Sequence, residues 1–217
     1  MNLVILGPPG AGKGTQAVRL SEVLGLRHLS SGDVLRAERK KGSQLGRRVA
    51  RYMDAGELVP DEIIVEVILA RLQDSGGSKG VLLDGFPRTQ PQAESLDKAL
   101  SGVSQRVNLV PLLSVPDEAI VGRITGRRIC PTCDAVYHVK TLPAAKDGVC
   151  DHDGTPLIHR TDDSEEVVKQ RLAAYHEQTS PLEAYYRGKG ILAEVDGTKD
   201  VDAVFEELLE VVRNRLN

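Results

Sequence analysis

The segment Gly7-Pro-Pro-Gly-Ala-Gly-Lys13-Gly-Thr15 carries the clearest chemistry in the 217-residue chain. Gly7, Gly12 and Lys13 stand at the spacing G-x-x-x-x-G-K, directly after the apolar run Leu3–Leu6 and before a stretch of helical periodicity. Glycines here let backbone N–H groups turn inward around phosphate oxygens, because a Cβ would block the approach. The start of the following helix adds partial positive charge. Lys13 can then bridge the β- and γ-phosphates of a nucleoside triphosphate. The common motif has Ser or Thr directly after the lysine. Here Gly14 intervenes, and Thr15 offers its hydroxyl to phosphate or to a water on magnesium. Gly12-Lys-Gly14-Thr-Gln-Ala17 also fits the dinucleotide fingerprint G-x-G-x-x-A. That fingerprint begins where the strand ends, and Gly12 lies well past Leu6. A plain glycine turn would leave the lysine unexplained.

A second constellation is Cys130-Pro-Thr-Cys133 with Cys150-Asp-His-Asp153, the same spacing used twice. Two such knuckles suit one tetrahedral zinc. The fourth ligand is not a cysteine. Asp153 occupies the place of a second C-x-x-C cysteine, while His152 offers imidazole, the commoner zinc ligand. Four protein ligands leave no open position, so such a metal is structural. It would fasten a small segment that has almost no core of its own. A redox C-x-x-C would leave Cys150 unexplained, and an odd count of three cysteines argues against a disulfide framework.

Apolar runs at Leu3–Leu6, Arg27–Leu29, Val81–Leu83, Val107–Leu113 and Ile191–Val195 read as strands. Helical spacing appears over Val18–Leu24, over Ile63–Leu72 after the capping pair Pro60-Asp61, and over Val201–Leu216. Such alternation predicts an α/β fold: a parallel sheet, here of five strands, covered on both faces by helices. Two stretches break the pattern. Residues 30–59 are helical, polar and basic, without a strand; residues 128–160 lose helical periodicity and collect Cys, Pro, Gly, Asp and His. Each reads as an insertion of the kind that becomes a moving lid.

Composition narrows the ligand classes. Net charge is -3 and the pI about 6.0, which gives no footprint for nucleic acid or an anionic membrane. A polyphosphate ligand would therefore need a local cleft of Arg and Lys on a mildly acidic protein. Asn2–Leu6 lacks a basic flank and runs into glycines, unlike a targeting segment, and no stretch approaches the roughly 18 apolar residues of a membrane span. A cytoplasmic protein is expected.

Further motifs lie at the strand ends. Leu29-Ser-Ser-Gly-Asp-Val-Leu-Arg36 follows the second strand, and Asp84-Gly-Phe-Pro-Arg88, with Gln92 beyond it, follows the third. Gly126-Arg-Arg128 ends a helix, and Arg160-Thr-Asp-Asp163 precedes Arg171. Together with the glycine loop these resemble the adenylate kinase family in order and spacing, over essentially the whole chain. The resemblance implies a P-loop three-layer core over 1–29, 60–125 and 164–217, an AMP-binding insert over 30–59 and a zinc-binding lid over 126–163. It implies reversible phosphoryl transfer between Mg·ATP and AMP in a monomer that closes within one chain.

The same resemblance implies roles. Gly10, Ala11, Gly12, Lys13, Gly14 and Thr15 would wrap the ATP phosphates. Arg123 and Arg127 would serve the ATP side, with Val136, Tyr137 and Lys199 bordering its base and ribose. Ser31, Arg36, the backbone of Glu57, Leu58 and Val59, then Gly85, Phe86, Pro87, Arg88 and Gln92 would form the AMP site. Arg36 and Arg88 would grip the AMP phosphate, and Gln92 would read adenine. Arg160 and Arg171 would reach the transferring group, completing a catalytic set of Lys13, Arg88, Arg127, Arg160 and Arg171. Asp84 would hold the water shell of Mg2+. Asp162 and Asp163 would secure the closed lid, with a helix N-cap before Ser164 as the rival reading. Some bacterial members carry a metal lid with three Cys and one Asp, which selects Cys130, Cys133, Cys150 and Asp153 for the structural Zn2+. The family usually has Thr where this chain has Ser31. A kinase for another nucleoside monophosphate is the nearest alternative. A non-catalytic nucleotide-binding module is the next, although it would have no need of the lysine and arginines present here.

Overall fold

The computed structural model describes residues 1–73 and 79–216. Residues 74–78 and 217, which fall within the expected core, lie outside the described residues. Strands β1 (Asn2–Ile5), β2 (Arg27–Ser30) and β3 (Val81–Asp84) form one parallel sheet in the order β1-β3-β2. Strands β4 (Val110–Ser114) and β7 (Leu192–Asp196) form a parallel pair. All of β1 and β3 is buried. Their side chains alternate between two apolar clusters, as a sheet covered on both faces requires. Leu3, Ile5 and Leu82 enter one cluster, whereas Val4, Leu83 and Val81 enter the other.

The single five-stranded sheet expected from the sequence appears here as a three-stranded and a two-stranded sheet, joined by isolated parallel bridges at Leu3–Leu109 and Leu6–Leu112. The interruption has a local cause. Val4 N donates to Leu109 O at 3.2 Å, Leu6 N to Pro111 O at 2.8 Å, and Leu113 N to Leu6 O at 2.9 Å. The position that should donate back to β1 between these bonds is Pro111, which has no N–H.

Helices α1 (Lys13–Leu24), α6 (Asp117–Thr125), α7 (Glu165–Ala174) and α9 (Val201–Leu216) pack on the first cluster. Helices α4 (Asp61–Gln73), α5 (Gln90–Ser101) and α8 (Pro181–Gly188) pack on the second. A π-helical segment, Tyr175–Thr179, links α7 to α8. Residues 30–59 contain α2 (Ser31–Lys40) and α3 (Gln44–Ala55), with Ser30 and Ser43 as N-caps. Beyond α6 the chain forms a short antiparallel pair, β5 (Arg127–Ile129) with β6 (Val136–His138), and a small cluster of Cys130, Tyr137 and Cys150. Among the described residues no helix is long and apolar enough to cross a membrane.

Candidate active site and metal centre

The glycine loop lies between the end of β1 and the start of α1. Gly10 has φ of 77°, and a Cβ there would stand 2.5 Å from Ile124 Cγ1, so only glycine fits. Lys13 Nζ donates to the loop's own carbonyls, Gly7 O at 2.7 Å and Pro8 O at 2.8 Å. Burial pulls its pKa down to about 8; Asp84 opposes this, and the positive charges of Arg88, Arg171 and Arg127 reinforce it. Four cations therefore share one electrostatic neighbourhood although the chain is net acidic. Burial and neighbouring Arg171 likewise lower Arg88 to about 10. Burial, then Arg36 and Arg127, lower Arg160 to about 10.

Asp84 ends β3 beside the loop. A Cβ on Gly14 would lie 3.4 Å from its Oδ2. His28 Nε2, on β2, stands 3.6 Å from the same oxygen.

A cleft opens next to this cluster. Ser31, Arg36, Glu57, Leu58, Val59, Gly85, Arg88, Gln92 and Arg171 line it, all residues singled out in the sequence. Phe86, Pro87 and Arg160 do not line it; Phe86 is 1% exposed and belongs to the core. Sequence reasoning missed Leu35, Met53 and Ile64 on the cleft wall, whose apolar character reads as ordinary core; Asp162, expected at the lid, stands at the cleft edge. Gly85 has φ of 72°, and a Cβ there would meet Ser31 Oγ at 2.7 Å and Arg88 Nη2 at 3.1 Å. Its carbonyl accepts from Ser31 Oγ at 2.6 Å and Arg88 Nε at 2.7 Å, so one peptide group aims both side chains.

Helix α4 begins at Pro60-Asp61 as expected, but the Asp61 side chain does not cap it. Pro60 O accepts from the N–H groups of Ile63 and Ile64 at the start of α4. The Asp61 carboxylate is instead spent across the cleft wall, on Thr89 Oγ1 at 2.7 Å and Gln92 Nε2 at 2.6 Å.

On the other side of the loop, Arg123 donates to Gly197 O at 2.9 Å. Arg127 binds Asp163, which is fully buried in the 3-10 turn Thr161–Asp163. Arg171 Nη1 reaches Asp162 O at 2.9 Å and Asp163 Oδ1 at 3.4 Å. The N-cap reading of this acidic pair fails, because Ser164 precedes α7 and both carboxylates bind arginines. Val136 is exposed, while Lys199 pairs with Glu207 at 2.6 Å. The Tyr137 side chain turns away into the cysteine cluster, its hydroxyl accepting from Asp151 N at 2.8 Å.

Cys130, Cys133, Cys150 and Asp153 bring their ligand atoms within 4.8 Å of one another. The two knuckles share one geometry. Asp134 N donates to Cys130 O and Gly154 N to Cys150 O, and both Asp134 and Gly154 adopt positive φ. Cys130 N donates to Ala135 O and Cys150 N to Thr155 O, each at 2.9 Å. Asp153 thus occupies the site equivalent to Cys133, and its oxygens lie 3.3 and 3.5 Å from Cys130 Sγ. Three soft sulfurs and one carboxylate fit a closed tetrahedral zinc site.

The family model "Adenylate kinase" matches residues 5–191. The chain belongs to the adenylate kinase family. Among curated adenylate kinases, that of Lachnospira eligens is 49% identical over 212 residues, covering 98% of this chain and 100% of that protein. That of Archaeoglobus fulgidus is 50% identical over 208 residues, 96% of each chain. That of Oceanobacillus iheyensis is 46% identical over 215 residues, covering 99% and 100%. The adenylate kinase match spans the glycine loop, the cleft, the arginine cluster and the cysteine knuckles alike.

Proposed function

We propose that this chain catalyses reversible transfer of the γ-phosphoryl group of Mg·ATP to AMP, giving two ADP. The observation that carries the reading is the glycine loop with Lys13 folded onto its carbonyls, set through Asp84 beside a cleft lined by Arg36, Arg88 and Arg171. An AMP phosphate oxygen attacks the γ-phosphorus in line, forming a P–O bond as the bond to the β–γ bridging oxygen breaks. The attacking oxygen is already ionised near neutral pH, so no strong general base is needed. Positioning and charge neutralisation supply the catalysis.

Gly10 to Thr15 and Lys13 would hold the ATP phosphates, with Arg123 and Arg127 alongside. Val136, Lys199 and the backbone at Tyr137 would border the ATP nucleoside. Arg36 and Arg88 would bind the AMP phosphate, and Arg160 and Arg171 would reach the transferring group. Planar, permanently charged guanidinium forks suit this task. Gln92 would pair with the adenine edge. Asp84, a hard carboxylate beside the loop, fits the water shell of Mg2+, which when bound neutralises charge on the β- and γ-phosphates. The knuckle cysteines and Asp153 would hold a structural Zn2+.

This reading divides the chain into a core (1–29, 60–125, 164–217), an AMP insert (30–59) and a lid (126–163). It treats β2-β3-β1-β4-β7 as one five-stranded sheet across the Pro111 gap, in a cytoplasmic monomer. Closure of both inserts would exclude water, which otherwise competes as phosphoryl acceptor. The test is ADP formation from Mg·ATP and AMP, with Lys13→Met as control. Turnover that falls by roughly 10²-fold or more in the variant supports the reading; absence of turnover in folded wild-type protein defeats it.

A further inference from the structure

We infer that Asp61 is a positioning residue that sets adenine specificity by locking the orientation of the Gln92 amide. The inference rests on the reading of Gln92 as the residue that meets the base. Gln92 is 2% exposed, lies on α5 and lines the cleft. Two of its hydrogen-bond positions are taken by protein. Its Oε1 accepts from Arg88 N at 2.8 Å, and its Nε2 donates to Asp61 Oδ1 at 2.6 Å. Asp61 itself is held by Thr89 Oγ1, which donates to Oδ2 at 2.7 Å. Thr89 in turn caps α5 by accepting from Gln92 N at 3.3 Å.

The chemistry leaves one orientation. A backbone N–H only donates, and an ionised carboxylate only accepts. Turning the amide over would set Nε2 against the Arg88 N–H and Oε1 against the Asp61 carboxylate. Both contacts would become repulsive. In the permitted orientation one N–H of Nε2 and one lone pair of Oε1 remain for the ligand. Adenine presents an N6–H donor beside an N1 acceptor, which matches that pair. Hypoxanthine presents an O6 acceptor beside an N1–H donor, which would need the amide turned over. Asp61 thus acts on base choice without lining the cleft. A polar site of fixed polarity rejects the mismatched analogue because buried groups are left unpaired.

The test compares kcat/KM for AMP and IMP in wild type, Asp61→Leu, Asp61→Ala and Gln92→Leu. The Asp61 variants should narrow the AMP-to-IMP ratio by roughly tenfold or more, with KM for Mg·ATP unchanged. A merely structural role would lower both monophosphates in parallel and keep the ratio, which overturns the inference. Gln92→Leu separates the two readings. If it leaves the ratio intact, Gln92 does not read the base and both readings fall. If it collapses the ratio while both Asp61 variants keep it, only the Asp61 lock is lost. Should the Asp61 variants not fold, NMR of the wild-type chain decides. The Gln92 side-chain amide should show one downfield, slowly exchanging proton before and after AMP is added, and a solvent-averaged pair would overturn the lock.

Discussion

Arg127 holds Asp163 with two nitrogens, Nε to Oδ2 at 2.9 Å and Nη2 to Oδ1. Asp163 has no exposed surface, and Arg171 touches the same carboxylate. The first strand of the cysteine-bearing segment is therefore tied to the turn that opens α7. Removing one partner of a buried pair leaves the other charge uncompensated. Asp163→Ala should cost about 3–5 kcal/mol, which is a fall of roughly 6–20 °C in Tm for a domain of this size. A thermal melt showing no change would mean that the pair is solvated and contributes nothing.

Lys13 gives a pH signature. Burial brings its pKa down to about 8, so above that pH the free enzyme increasingly carries a neutral amine where the phosphates must bind. In the proposed role Lys13 acts as the cation, so kcat/KM for Mg·ATP should fall on the alkaline side with an apparent pKa near 8. The kcat profile, which reports the nucleotide-bound enzyme, should extend to higher pH because bound phosphate favours the ammonium. A flat kcat/KM from about pH 7 to 9.5 would contradict this assignment.

Gly85 offers a mutation that separates the two nucleotides. An alanine there must adopt φ of 72° and push against Ser31 Oγ and Arg88 Nη2. Both side chains hang from the Gly85 carbonyl. Gly85→Ala should raise KM for AMP by tenfold or more while KM for Mg·ATP stays within about twofold. Equal effects on both substrates would argue for general destabilisation instead.

The cysteine knuckles yield a metal prediction. Asp153 repeats the backbone setting of Cys133, whereas His152 sits on the knuckle turn between Cys150 and Asp153. Purified protein should carry one zinc per chain. Asp153→Ala should lose the metal and lower Tm, Asp153→Cys should keep it, and His152→Ala should leave both metal content and Tm unchanged. Metal analysis beside a thermal melt reads all three. Retention in Asp153→Ala with loss in His152→Ala would move the fourth ligand to His152.

Much of this architecture could be read from the chain because the signals were local. The glycine loop, the repeated knuckle spacing and the apolar runs each announce their geometry within a few residues. The break between β1 and β4 was harder to foresee, since it depends on which ladder position Pro111 occupies, a fact of register rather than of pattern. Helix α5 is hard to read from the chain although Thr89 caps it and Pro91 lies in its first turn, because its apolar stripe is thin. Pro60-Asp61 reads as a helix entry, which it is, but the pattern gives no sign that the Asp61 carboxylate is used elsewhere. Its true partners lie 28 and 31 residues away, and no local spacing encodes them. The Tyr137 ring, packed in the cysteine cluster, likewise has partners that no local spacing encodes.

The most direct measurement is a coupled assay of ADP formation from Mg·ATP, offering AMP, GMP, UMP and CMP in parallel to folded, zinc-replete protein. The account predicts turnover with AMP and little with the other three. Preference for another monophosphate would contradict the adenine reading of the cleft, and silence with all four would contradict the assignment of phosphoryl transfer itself.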